Sequence, residues 1–208
     1  MGVSRFMAKQ LRQPHGWFGS HVITRLMNFG NRRITETTLA LLEVQPQHHV
    51  LEIGFGGGVA LALLARQVRN GVICGVDFSA DIVRGAERRF RDAILAGRLR
   101  VQLGDVSRLP YPDTSFDRIL TVNTIYFWPD TLSGLLEIRR VLKPAGRIAI
   151  GIRSKEKMSK TALPQHGFRL FSADELAAAI QQAGFRVLTV DHRDQHKLYD
   201  QIVVLASF

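Results

Sequence analysis

His49-Val50-Leu51-Glu52-Ile53-Gly54-Phe55-Gly56-Gly57-Gly58-Val59 joins a short β-rich run to a helical pattern through a turn crowded with glycine. Glycines placed directly after a strand and before a helix let the chain reverse tightly. They also let the backbone approach a ligand with no Cβ in the way. Gly54 and Gly56 satisfy the start of the dinucleotide pattern GxGxxG, but its third glycine position is Val59. The segment reads instead as Glu-x-Gly-x-Gly-x-Gly, with an acid two residues before the first glycine. A carboxylate there repels a pyrophosphate and suits a ligand of positive character, such as a sulfonium or an ammonium. The alternative is a tight strand-to-helix turn with no ligand.

Around this turn, short apolar runs alternate with longer helical patterns, the signature of βαβ units and a parallel sheet. Strands are expected at His49–Ile53, Val72–Val76, Leu99–Leu103, Arg118–Val122 and Arg147–Ile152, with helices at about Val59–Val68, Ala80–Leu95 and Leu132–Val141. Ser79 is a candidate N-cap, and Glu87 and Arg91 are spaced to pair on one helix face. Lys143-Pro144-Ala145-Gly146 reads as a breaker cluster. Ser172-Ala173-Asp174-Glu175 reads as a capping box opening a helix that stops at Gly184. Phe185–Val190 and Gln201–Leu205 close the chain as an antiparallel hairpin.

Residues 1–45 stand apart as an N-terminal helical cap of two or three helices, broken at Pro14-His15-Gly16 and at Gly30-Asn31, ahead of a domain over 46–208. In a doubly wound fold such an appendage lies over one edge or over the strand C-termini, where ligands bind. The basic stretch from Arg153 to Gln165 is placed to cover the same end.

Two further acids follow predicted strands. Asp77, in Val76-Asp77-Phe78-Ser79, is placed to accept both hydroxyls of a ribose, with Phe78 offering an apolar face to a purine. Its alternative is a cap for the next helix. Asp105, in Leu103-Gly104-Asp105-Val106, is placed to accept an exocyclic amine, with Val106 supplying a backbone N–H; alone in a loop it would mean little.

With these residues in view, the chain resembles the class I S-adenosylmethionine-dependent methyltransferases of the ubiquinone/menaquinone-biosynthesis-like (type 11) group. The resemblance rests on Val50 to Gly58, Gly75 to Ser79, Gly104-Asp105-Val106 followed by Leu109-Pro110-Tyr111, Ser115-Phe116-Asp117-Arg118, and Val141 to Arg147. It implies a Rossmann-like doubly wound α/β fold, with a seven-stranded, mostly parallel sheet whose last strand is antiparallel. It also implies S-adenosyl-L-methionine as cofactor, held by Glu52, Gly54, Gly56, Asp77, Phe78, Asp105, Val106 and Asn123. Ile82 departs from the group, where methionine is common at that position.

The methyl acceptor is less legible. Asn123-Thr124-Ile125-Tyr126-Phe127-Trp128-Pro129 follows the fourth strand, with Asn123 and Tyr126 at the first and fourth positions of an Asn-Pro-Pro-Tyr pattern that lacks both prolines. That loss disfavours base methylation of nucleic acid and leaves an aromatic cap on the pocket as the simpler reading. No catalytic residue is assigned; Tyr126, His21 and His166 are candidates, the histidines by virtue of titrating near neutrality in segments that would cover the site. His15 shares that position. His48, His49, His192 and His196 lie near strand starts or in the closing hairpin. No metal-binding pattern is visible. The single cysteine, Cys74, falls in a buried strand and reads as a core thiol.

The 208 residues carry a formal charge of +10, which favours anionic partners without choosing among nucleic acid, an acidic lipid surface and a charged metabolite. No apolar run approaches a membrane span of ~20 residues, and a cytoplasmic location is the simplest expectation. Trp17, Phe18, Val22, Ile23, Leu26, Met27 and Phe29 form an apolar stripe near Arg25, Arg32 and Arg33. It reads as a docking face, or as a surface for peripheral contact with an anionic membrane. The expected acceptor is a small or amphiphilic metabolite, the alternative a lipid or quinone at a membrane surface. A nucleic-acid acceptor is less favoured, because no appended binding module is visible.

Overall fold

The computed structural model describes residues 24–159, 169–193 and 200–208, with side chains from Asn31 onward. The elements run α1 (Thr24–Leu42), β1 (His49–Ile53), α2 (Val59–Gln67), β2 (Val72–Asp77), α3 (Ala80–Arg89), α4 (Arg91–Leu95), β3 (Leu99–Leu103) and β4 (Phe116–Val122). They continue through α5 (Thr131–Val141), β5 (Leu142–Arg153), α6 (Lys155–Met158), α7 (Ala173–Gln182), β6 (Arg186–Arg193) and β7 (Gln201–Ser207). The strands form one seven-stranded sheet in the order β3-β2-β1-β4-β5-β7-β6. β7 inserts between β5 and β6 and runs antiparallel to both, while β1 to β5 pair in parallel. This is the expected doubly wound, mostly parallel architecture.

Period-two alternation along each strand divides the apolar residues between two cores. Leu51, Ile53, Val76, Ile119, Ile148 and Ile150 face α5 and α7, meeting Leu135, Ile138, Leu176 and Ile180. Val50, Ile73, Leu120, Ala149 and Val203 face the other way, against Ile34, Leu42, Leu61, Leu64 and Val83 of α1 to α3. Reversal of chain order at β1, where β2 lies on one side and β4 on the other, opens the crevice expected at such a switch point.

Several local expectations are corrected. α1 passes straight through Gly30-Asn31, where the sequence predicts a break. An interior glycine costs only about 1 kcal/mol, and burial of Ile34, Leu39 and Leu42 outweighs it. The helix expected over Ala80–Leu95 divides at Phe90, whose backbone leaves helical geometry. Phe90 swings to the glycine turn, where its ring would meet a Cβ at Gly58, and Arg89 donates to the Gly57 carbonyl. The division places Glu87 and Arg91 in different helices. Ser79 occupies the N-cap position of α3, yet its side chain does not cap; its backbone N–H donates to Asp77 Oδ1 instead.

The Lys143-Pro144-Ala145-Gly146 cluster does not precede β5 but lies within it as an irregularity. Pairing with β4 jumps from Phe116↔Leu142 to Arg118↔Arg147, and Ala145 takes a φ of 62°. The excursion has a purpose in packing. Lys143 Nζ reaches both Asp117 carboxylate oxygens at 3.0 Å, and Asp117 Oδ2 accepts from the His49 N–H at 2.8 Å, tying β5 and β4 to the start of β1. The Ser172 capping box forms as expected: its hydroxyl accepts from Glu175 N, and Glu175 reaches back to Ser172 N.

Candidate active site

At the C-terminal ends of β1 to β4 lies an open cleft enclosing about 1100 Å³ of space, the solvent at its mouth included. Its walls bring together all eight expected cofactor contacts: Glu52, Gly54, Gly56, Asp77, Phe78, Asp105, Val106 and Asn123. The turn is built by left-handed glycines. Gly54, at φ 69°, donates its N–H to Val76 O at 2.7 Å, and a Cβ there would run into the Thr124 methyl. At Gly56 (φ 48°) the space beside Cα is open, and its N–H donates to Asp77 Oδ2 at 3.0 Å.

Asp77 accepts one backbone N–H on each oxygen, from Gly56 and from Ser79, both at 3.0 Å. Each oxygen keeps a further lone pair for a ligand hydroxyl. Burial pushes its pKa up to about 6 against these hydrogen bonds. Glu52 is only 5% exposed, and its Oε2 has no hydrogen-bond partner. Burial holds its carboxyl well above the usual range, the Leu61 N–H pulls it back, and the nearby Asp77 carboxylate pushes it further up.

A buried, unpartnered carboxyl oxygen beside a second acid is costly unless a cation or a donor arrives. S-adenosylmethionine fits this arrangement: an ammonium for Glu52, ribose hydroxyls for Asp77, and a purine for Phe78, an exposed residue that lines the cleft. Ile82 is buried and lines the cleft beside it. Asp105 Oδ1 already accepts from Ser107 N and Oγ, which fixes its carboxylate at the cleft rim. Arg140 bonds Glu137, Asp113 and the carbonyls of Leu109 and Tyr111, bracing the loop that follows.

Asn31, Thr35, Asn123, Thr124, Phe127, Trp128 and Pro129 also line the cleft. The expected aromatic cap is therefore in place as Phe127 and Trp128. Tyr126 points elsewhere: it is buried, is not a lining residue, and its hydroxyl contacts Asn123 Oδ1 and the backbone of Arg153. Burial raises its pKa. His21 and His166, with His15 and the membrane-contact stripe before Thr24, lie outside the described residues. Asn31 and Thr35 are hidden in the sequence by Gly30-Asn31, which predicts a helix break. The signal that marks them is a polar i, i+4 pair on a helix whose neighbouring face carries Ile34, Leu39 and Leu42. Among the described residues no group of three or more His, Cys, Asp or Glu could hold a metal ion, and no helix is long and apolar enough to cross a membrane.

Residues 51–150 match the model of a methyltransferase domain. The methyltransferase GfsG of Streptomyces halstedii is 33% identical over 165 residues, covering 75% of this chain and 59% of that protein. The ubiquinone/menaquinone biosynthesis C-methyltransferase UbiE of Geotalea daltonii is 32% identical over 130 residues, covering 62% of this chain and 55% of its own. The chain thus spans a little over half the length of these two relatives. In fold it is similar to a SAM-dependent methyltransferase from Aquifex aeolicus, with a TM-score of 0.73, 23% identity and 97% of both chains covered. With sheet order, glycine turn and strand-end acids in agreement, residues 51–150 form a class I S-adenosylmethionine-dependent methyltransferase domain of the type 11 group.

Proposed function

We propose that this chain transfers the methyl group of S-adenosylmethionine to a small or amphiphilic metabolite. The observation that carries the proposal is the polarity of one cleft. It is lined by the acids Glu52, Asp77 and Asp105, by Phe127, Trp128 and Pro129, and by the neutral polar groups of Asn31, Thr35 and Thr124. When bound, the cofactor supplies a methyl group activated on a sulfonium. Glu52 holds the ammonium, Asp77 the ribose, Phe78 and Ile82 the adenine ring, Asp105 its amine, and the Val106 N–H a ring nitrogen. Gly54 and Gly56 bring backbone close to the amino-acid chain. The aromatic wall excludes water and orients the acceptor, and orientation is the larger part of an in-line displacement with a good leaving group. A base is required only where the acceptor must lose a proton, a role for which His21 and His166 remain the candidates.

A second reading, a quinone or lipid acceptor at a membrane surface, is supported by the similarity to the ubiquinone/menaquinone C-methyltransferase. Incubating the chain with methyl-labelled cofactor and extracts of its source organism separates the readings. Label in a water-soluble small product supports the first, and label in a membrane-extractable isoprenoid or lipid the second. Label in RNA, or no transfer by folded protein, contradicts both.

A further inference from the structure

The hydrogen bonds around Asn123 fix the orientation of its amide. The Arg153 backbone N–H can only donate, and it lies 3.1 Å from Asn123 Oδ1. The Tyr126 hydroxyl lies 3.1 Å from the same oxygen. Asn123 Oδ1 is therefore the acceptor of its amide, and its Nδ2 must face the other way. There it donates to Asn31 Oδ1 at 2.9 Å. Asn31 in turn has its oxygen occupied, so it presents an NH2 whose hydrogens have no partner among the described residues. Asn31 lies on the cleft wall, and Asn123 holds this geometry from a left-handed backbone (φ 56°), strain tolerated by asparagine.

Position in the sheet says what this NH2 meets. Asp105 lies two residues beyond β3, Asp77 ends β2, Glu52 is next to last in β1 and Asn123 directly follows β4, four strands adjacent in that order. Strands lie about 4.8 Å apart, so the series spans about 14 Å. Adenine amine, ribose and α-ammonium are joined in the same order in the cofactor, and beyond the ammonium comes the carboxylate. That carboxylate must turn away from the buried acids. Among the described cleft-lining residues there is no Lys, Arg or His to receive it.

We propose that the Asn31 carboxamide, aligned by Asn123, Tyr126 and the Arg153 backbone, donates to the carboxylate at the amino-acid end of the bound cofactor. The inference rests on the cofactor reading above. It makes α1 part of the cofactor site, and Asn123 and Tyr126 positioning residues that act through Asn31.

Calorimetric titration of the whole chain with two probes tests it. S-adenosylhomocysteine carries the amino-acid end, whereas 5′-methylthioadenosine keeps adenine, ribose and sulfur but lacks that end. Asn31→Ala removes the donor. Asn31→Asp keeps an oxygen for Asn123 Nδ2 but sets a second oxygen against the carboxylate. A charge-assisted hydrogen bond predicts a loss of roughly ten- to a hundredfold in S-adenosylhomocysteine affinity for Asn31→Ala, and a larger loss for Asn31→Asp. Both variants should bind 5′-methylthioadenosine as the unaltered chain does. Unchanged S-adenosylhomocysteine affinity, or equal losses for both probes, overturns the assignment. Failure of the unaltered chain to bind either probe overturns the cofactor reading itself.

Discussion

Glu52 is buried in the cleft with one carboxyl oxygen lacking a hydrogen-bond partner. In the folded chain its carboxyl resists ionisation because it is buried beside Asp77, whose own pKa is pushed up to about 6. For an acid whose folded pKa is raised, the unfolded chain releases its proton first. Stability is therefore lost as pH rises from the unfolded value through the folded one. Glu52→Gln keeps an oxygen for the Leu61 N–H and removes that loss. Thermal melts of the ligand-free protein should show the variant gaining on the unaltered chain as pH rises from the ordinary glutamate value of 4.5, while its S-adenosylhomocysteine affinity falls. A difference in melting temperature that stays constant with pH would refute this role. Gly54 is constrained differently, by its φ of 69° and by Thr124, whose hydroxyl is held by Thr121. Gly54→Ala should cost about 1–3 kcal/mol of stability and abolish cofactor binding, checked by denaturant unfolding and calorimetry. Binding at unaltered affinity would show that the backbone there does not approach the ligand.

At the scale of elements, sequence legibility followed the strength of the local signal. β1 and β3 were read at their observed bounds because alternation and flanking turn residues coincide. The α7 start was read because a serine and a glutamate three residues later satisfy each other's backbone donors, a purely local device. Ser172→Ala should therefore cost about 1 kcal/mol, seen as a lowered urea midpoint with an unchanged slope and unchanged cofactor affinity. A neutral effect would mean that the box adds nothing beyond the packing of Leu176 and Ile180. The errors lie where tertiary contacts override local preference. Phe90 leaves the helix to pack on Gly58, Asn31 stays within α1 because its neighbours are buried, and Lys143 is drawn out of the β5 register by Asp117. None of those partners is near in sequence.

At the scale of the whole molecule, strand order turns a list of residues into a site. Glu52, Asp77 and Asp105 are legible because each lies at or just beyond the C-terminal end of a strand of the parallel sheet. Asn31 and Thr35 were not, since only the docking of α1 against β4 and β5 brings them to the same cleft. The acceptor end was legible only as an aromatic cap, because Phe127 and Trp128 describe a surface rather than a chemistry. The central claim is that this one cleft, with its two buried acids and no pyrophosphate-compatible turn, holds S-adenosylmethionine. Titrating S-adenosylhomocysteine and NAD separately into the whole chain by calorimetry measures it most directly. The account predicts saturable binding of S-adenosylhomocysteine at one site per chain, lost in Gly54→Ala, and no heat from NAD. Binding of NAD in its place, or no binding of S-adenosylhomocysteine by protein that melts cooperatively, would contradict it.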